Sequence, residues 1–353
     1  MKNCHGGDWA SYQRAYSTLP IDFSANINPL GLPEEVRRAA AEALDMADRY
    51  PDPQSWELRE ALSARFGVPK ETIVCGNGAA DLIYRLILMR KPKHALIPVP
   101  VFTEYEKALS LSGCRIEQFR CRETNGFLLP DAFLDAVTEK TDLVLLCNPN
   151  NPTGRFIPAG LLERIRQKCE ETGTLLVVDE CFLPFSERGE ELTMIRHLAD
   201  APHLAVLRAF TKLYAMPGLR LGMMLCGSRS LADHLREFGQ PWSVSSPAQA
   251  AGTAALQVPG WVEKTQKLIR EERAFLLRGL SGLGLKVIPG EANFLLFFCG
   301  KENLSAKLRE KGILIRDCSD FSGLSSGWFR VAVRTRTENQ LLLQKLKEVL
   351  YVG

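Results

Sequence analysis

Lys212 follows a short apolar run, Leu204-Ala205-Val206-Leu207, and stands beside the hydroxyl of Thr211. A lysine buried at a strand end loses proton affinity and becomes a nucleophilic amine. Taken alone, a solvated surface lysine is the commoner fate of this residue type. Arg220 comes shortly after it, in Pro217-Gly218-Leu219-Arg220-Leu221-Gly222. Asp179-Glu180 closes another apolar run, 175–178. A carboxylate there is costly unless a cation answers it. It is a helix cap, an ion-pair partner of an arginine, or the partner of a buried ring nitrogen. Asn148-Pro149-Asn150-Asn151-Pro152-Thr153-Gly154 follows a third run. Two X-Pro pairs and a glycine make a rigid, non-helical loop, in which Asn151, held by the ring of Pro152, can present its amide to a ligand. A simple Asx turn does not account for a run of this length. Gly76-Asn77-Gly78-Ala79-Ala80-Asp81 leads into a helix. Its small residues leave the first N–H groups open to an anion, or form only a tight strand-to-helix turn.

The elements that must position these residues alternate along the chain. Apolar runs at 72–75, 94–98, 143–147, 175–179, 204–207 and 221–226 are separated mostly by helix-period stretches such as 102–112 and 158–172. Continuous apolar strands alternating with helices predict an α/β fold with a mainly parallel central sheet flanked by helices. Ligands of such sheets bind outside the carboxyl ends of the strands, where all four motifs fall. Ahead of this region, 19–28 predicts a short extended segment and Pro33 opens a helix through about Ala47. From about 245 a helix-rich stretch runs to 282. The apolar segments 294–298, 313–315 and 329–333 and a last helix from about 337 then predict a smaller α+β C-terminal domain. The expected division is an N-terminal arm at 1–45, a large domain at 46–245 and a small domain at 246–353.

Composition excludes rather than identifies. A chain of 353 residues with 46% hydrophobic and 24% charged side chains is neither disordered nor dependent on staples for its core. A net charge of +3 from 44 basic and 41 acidic residues carries no footprint for nucleic acid or an anionic membrane. The ten cysteines form no C-x-x-C pair and sit near no histidine at a ligand spacing. No metal site is expected, and buried free thiols in a reducing cytosol are. The first residues hold no apolar signal segment, and no run approaches the ~18 apolar residues of a membrane helix. The expectation is a cytoplasmic protein.

Taken together, the glycine-led helix start, Asn151-Pro152-Thr153-Gly154, Val177-Val178-Asp179-Glu180 and Thr211-Lys212 followed by Pro217-Gly218-Leu219-Arg220-Leu221-Gly222 resemble the fold-type I pyridoxal-phosphate enzymes, the aspartate aminotransferase family. The resemblance covers nearly the whole chain. It implies that Lys212 holds pyridoxal 5'-phosphate covalently and that Asp179 keeps its pyridine nitrogen protonated. Asn151 would bond the ring oxygen O3′, and Phe102 would stack on the ring. Gly78, Ala79, Thr211 and Arg220 would hold the phosphate, with Tyr50 reaching in from the other subunit of a homodimer. Arg330 would clamp a substrate carboxylate as a planar fork. Strand alternation places Arg334 on the same face as a competitor for that role.

Three further segments resemble one branch of the family, the threonine-phosphate decarboxylases of cobalamin biosynthesis: His5-Gly6-Gly7-Asp8, Asp22 to Gly31 and Ile315 to Leu324. That likeness implies that His5, Asn26 and Arg316 meet a substrate phosphate. The histidinol-phosphate aminotransferases, acting with 2-oxoglutarate, are the alternative. A non-catalytic regulator is disfavoured by the retention of Lys212, Asp179 and Arg330. The chain departs from the family pattern twice. Ala209 stands where many relatives have serine, removing one phosphate hydrogen bond. Phe182 stands where aminotransferases have the tyrosine that touches O3′, leaving Asn151 as the main donor.

Overall fold

The computed structural model describes residues 5–351, which leaves Cys4 outside the described residues. Its centre is a seven-stranded sheet in the order Ile73–Gly76, Gly222–Cys226, Leu204–Ala209, Leu175–Asp179, Leu143–Cys147, His94–Val99 and Arg115–Arg120. Gly222–Cys226 runs antiparallel to both neighbours, and the other pairings are parallel. Every residue of 143–147, 175–179 and 222–226 is buried, as strands covered on both faces require. Arg115–Arg120 was absent from the expected strands. It is the edge strand, its charged side chains alternate towards solvent, and so it shows no continuous apolar run.

The reversed strand matters for the site. The chain leaves Leu204–Ala209 through the one-turn helix Phe210–Leu213, loops, and re-enters the sheet at Gly222 on the same edge. Lys212 and Arg220 are thereby returned to the carboxyl ends of the parallel strands. Gly222 abuts the helix Gly78–Arg90 so closely that a Cβ there would lie 2.5 Å from the Ala79 nitrogen.

A second, four-stranded antiparallel sheet follows the order Arg316–Asp317, Trp328–Ala332, Phe294–Phe298, Lys286–Ile288. The expected helix-rich stretch before it appears as Ser246–Ala255 and Trp261–Gly282, and the last helix as Arg336–Tyr351. The extended segment near the start is shorter than expected. Only Ile21–Asp22 pairs, in parallel, with Ile313–Leu314, and the Ala332 amide then donates to the Phe23 carbonyl at 2.8 Å. The helix after Pro33 spans Glu34–Glu42 and tightens into a 3₁₀ turn at Ala43–Met46. Among the described residues no helix is long and apolar enough to cross a membrane. The nine described cysteines are unpaired, and burial pushes the Cys75, Cys169, Cys226 and Cys318 thiols up to about 12.

Candidate active site

A cavity of about 230 Å³ opens at the carboxyl ends of the strands. Lys212 and Asp179 line it from the central sheet, with Asn151 and Phe102. Ala79, Thr211 and Arg220 line it as well, and so do His5, Asn26, Arg316 and Arg330. The structure thus brings together every site residue expected from the sequence except two. Gly78 lies one residue behind the wall, where its positive φ of 82° starts the helix. The expected tight strand-to-helix turn is present. Tyr50 is 79% exposed and stacks on Trp242 at 4.3 Å, away from this cavity.

Asp179 is buried and has no cationic side chain within ion-pair distance among the described residues. Its Oδ2 accepts from the Tyr105 hydroxyl at 2.7 Å, and its Oδ1 accepts from the Cys181 amide at 2.9 Å. Burial raises its pKa, and these bonds only moderate the rise. Glu180 behaves differently. Its fully buried carboxylate is answered by Arg208 at 2.7 Å and by Thr193 and the Met194 amide. Of the three fates open to this acidic pair, Glu180 takes the ion pair and Asp179 is left facing a ring-sized space. Lys212 has its pKa lowered to about 8 by burial first and by the Arg330 charge second. Near pH 7 most of the amine is still protonated, but its proton is held far less tightly than that of a solvated lysine.

The loop 148–154 is rigid. The Asn148 amide donates to the Asp179 carbonyl, and Asn150 bonds Pro100 and Thr153. Asn151 accepts from Arg330 on its Oδ1, which leaves its Nδ2 hydrogens to donate into the cavity. Arg330 also donates to the Ser24 carbonyl at 3.1 Å and stacks over Phe294, and burial lowers its pKa to about 10. Arg316 is the cross-strand partner of Arg330. It is held by Asp320 at 2.8 Å and lies 5.1 Å from the Phe321 ring centroid. Asn26 is buried with neither side-chain polar atom bonded. Arg334 does not compete with Arg330: it lies beyond the strand end and pairs with Glu338 at 2.6 Å.

Tyr105 and Cys181, the partners of Asp179, went unnoticed in the sequence. Tyr105 lies three residues after Phe102 and packs edge-on against it at 5.7 Å, so a helix period from Phe102 would have pointed to it. Glu104, which takes His5 at 2.9 Å, carries no such signal.

The family description "Aminotransferase class I and II" matches residues 19–346. The chain belongs to the class I and II aminotransferase family. Within the family it is 40% identical to the threonine-phosphate decarboxylase of Salmonella typhimurium, over 99% of this chain and 97% of the relative. It is 32% identical to histidinol-phosphate aminotransferase 1 of Cupriavidus pinatubonensis, over 94% and 88%. The crystal structure of the histidinol-phosphate aminotransferase from Clostridium acetobutylicum superposes with a TM-score of 0.87 at 27% identity, covering 94% of this chain and 99% of that one.

The family's cofactor is pyridoxal 5'-phosphate, and the residues present fit it. A Cβ on Gly78 would lie 2.5 Å from the Arg220 guanidinium, so the glycine lets that cation close over the helix N-terminus, a cradle suited to a phosphate. Asp179 can meet a pyridinium, Lys212 an aldehyde and the Asn151 amide a phenolic oxygen. Ala79, Thr211 and Arg220 can hold the phosphate, and the Phe102 ring can cover the pyridine face.

Proposed function

We propose that this protein decarboxylates L-threonine O-3-phosphate to (R)-1-aminopropan-2-yl phosphate and CO2 in cobalamin biosynthesis, as a cytoplasmic homodimer. The observation that carries the reading is the placement of Arg316 directly opposite Arg330 on neighbouring antiparallel strands, both lining the cavity. Like charges directly opposite on a sheet repel. Two buried guanidiniums facing one cavity are suited to a substrate with two anionic ends. The likeness to the Salmonella enzyme over nearly the full chain supports the same reaction.

Pyridoxal 5'-phosphate, when bound, withdraws electrons from the substrate α-carbon and labilises the bond there that stands perpendicular to its ring. The chain's own residues decide which bond that is. Arg330, a planar fork held by Asn151 and the Ser24 carbonyl, binds the carboxylate. Arg316, His5 and Asn26 bind the phosphate ester at the far end of the substrate. Anchoring at both ends by Arg330 and Arg316 would fix which bond at the α-carbon is presented to the cofactor. Asp179 keeps the ring nitrogen protonated. Lys212 Nζ, whose proton is loosened by burial, would be the group placed to move a proton at Cα once CO2 has left. Phe182 packs edge-on against Phe294, with its ring centroid 5.9 Å from Lys212 Nζ. It offers the cofactor no hydroxyl, so Asn151 is the donor to O3′.

In the homodimer Tyr50 would serve the partner's cofactor phosphate, consistent with its exposure and its distance from this chain's own cavity. Sedimentation of the holoenzyme tests the dimer. The reaction is tested by supplying threonine phosphate to the holoenzyme and trapping CO2, beside histidinol phosphate with 2-oxoglutarate. CO2 from the first, without glutamate from the second, is expected. Glutamate formation without CO2 would establish the aminotransferase instead.

A further inference from the structure

The helix Thr103–Leu111 starts directly after Phe102 and carries Glu104 at the cavity rim. The Glu104 carboxylate collects three donors. The Tyr84 hydroxyl donates to Oε2 at 2.6 Å, Lys107 Nζ to Oε1 at 2.6 Å, and His5 Nε2 lies 2.9 Å from Oε1. Burial alone would raise this carboxyl. The bonds from Lys107 and Tyr84 and the nearness of His5 outweigh that and hold it below the ordinary carboxylate range. Glu104 is therefore an anion at neutral pH. Lys107 Nζ also lies 3.4 Å from Nε2, but it already donates to Glu104 at 2.6 Å, and the shorter 2.9 Å contact of Nε2 is with the carboxylate, so that nitrogen carries the ring proton. Nδ1 is then an acceptor in the neutral imidazole and a donor only in the imidazolium. No bond to Nδ1 exists among the described residues.

We propose that Glu104 is a positioning residue for phosphate recognition: it fixes the His5 ring at the cavity rim in the Nε2–H tautomer, so that a phosphate ester is bound with uptake of a proton at Nδ1. The inference rests on the reading that His5 faces the substrate phosphate. The charged groups facing the ring are Glu104 and Lys107 on the helix Thr103–Leu111 and Arg316 and Asp320 from the small sheet, and the Phe102 ring lies 6.5 Å away. Burial lowers the His5 pKa below 6.5. Glu104 opposes the fall, Lys107 and Arg316 add to it, and Asp320 opposes it more weakly. The ring is thus neutral at pH 7, and an arriving phosphate dianion supplies the attraction that protonates it. His5 then acts as a donor matched to a dianion, and adds no fixed charge beside Arg316 and Lys107 in the free enzyme.

The test is Glu104→Gln in the holoenzyme, with phospho-L-threonine and L-threonine binding followed through cofactor absorbance between pH 6 and 8.5. The variant should weaken phospho-L-threonine binding about tenfold, as loss of a charge-assisted contact predicts. L-threonine binding should stay the same, and kcat on phospho-L-threonine should change no more than about twofold. Removing the anion also lowers the His5 pKa further, so the pH above which phosphate binding weakens should move down. His5→Asn with Glu104→Gln should lose no more than His5→Asn alone, since both act through one ring. Glu104→Asp should recover part of the loss. Equal weakening for both ligands, an unmoved pH limb, or losses that add in the double variant would overturn the proposal. The outcomes also separate it from the decarboxylase reading. A wild type that releases no CO2, yet loses phosphate-dependent binding on Glu104→Gln, sinks only that reading. CO2 release with unchanged binding in Glu104→Gln sinks only this one.

Discussion

Arg316 and Arg330 face each other across adjacent antiparallel strands, and only Arg316 has a carboxylate for a counter-charge. Arg316 has Asp320, while Arg330 has the Asn151 amide and the Ser24 carbonyl. Both are buried. On the proposed reading the two would serve as two anion sites in one cavity, and the division can be measured.

Arg330→Gln should raise KM for threonine phosphate about a hundredfold, the scale of a lost charge-assisted pair. It should weaken unphosphorylated amino acids by a similar factor, because every α-amino acid carries the carboxylate. Arg316→Gln should weaken the phosphorylated substrate alone. The KM of phospho-L-threonine and the inhibition constant of L-threonine on both variants check this, and a similar loss on both ligands from Arg316→Gln would remove it from the phosphate site.

Tyr105→Phe removes the 2.7 Å hydrogen bond to Asp179 without changing the packing against Phe102. That bond holds the carboxyl pKa down against burial, so its loss leaves Asp179 less ionised. The expected result is about tenfold weaker cofactor binding and a changed absorbance of the bound cofactor, read by titrating the apo protein. Unchanged affinity and spectrum would show that Tyr105 only fills space.

Lys212→Met should stabilise the cofactor-free protein at pH 7, and the gain should fade with rising pH. The lysine pKa falls from its ordinary 10.5 unfolded to about 8 folded. Below pH 8 both states are charged and the fold bears the full cost of the buried ammonium. Between 8 and 10.5 the unfolded chain binds more protons, so wild-type stability rises relative to the variant. Denaturation midpoints of the two apo proteins at pH 7 and pH 10 measure the difference, and a gap that does not narrow would contradict it.

Ala209→Ser returns a hydroxyl beside Thr211 at the phosphate end of the cavity. Cofactor affinity should improve about fivefold, the worth of one net hydrogen bond. Equilibrium dialysis of the apo protein against pyridoxal phosphate gives the value. No gain would mean the hydroxyl lies out of reach.

The sheet was legible because its inner strands are buried on both faces, which writes them as unbroken apolar runs: 143–147 and 175–179 are examples. Arg115–Arg120 was not, since an edge strand alternates. The cavity's main residues were legible because each follows a strand end in sequence. What escaped was pairing across distance. Nothing in Asp179-Glu180 tells which carboxylate meets Arg208, and nothing near His5 names Glu104. Those choices are made by the packing of separate elements, His5 and Glu104 standing 99 positions apart in the sequence.

The cavity is lined by residue 5 at one extreme and residue 330 at the other. Its two ends of sequence are joined where Phe23 accepts from Ala332 and Arg330 donates to Ser24. A chain emerging during synthesis has no complete site until nearly all of it is out. The residues of this cavity fitted to the cofactor all lie between 78 and 220, so excess ligand, which stabilises a fold by RT ln(1 + [L]/Kd), can favour the central sheet before the strand Trp328–Ala332 brings Arg330 to complete the substrate end.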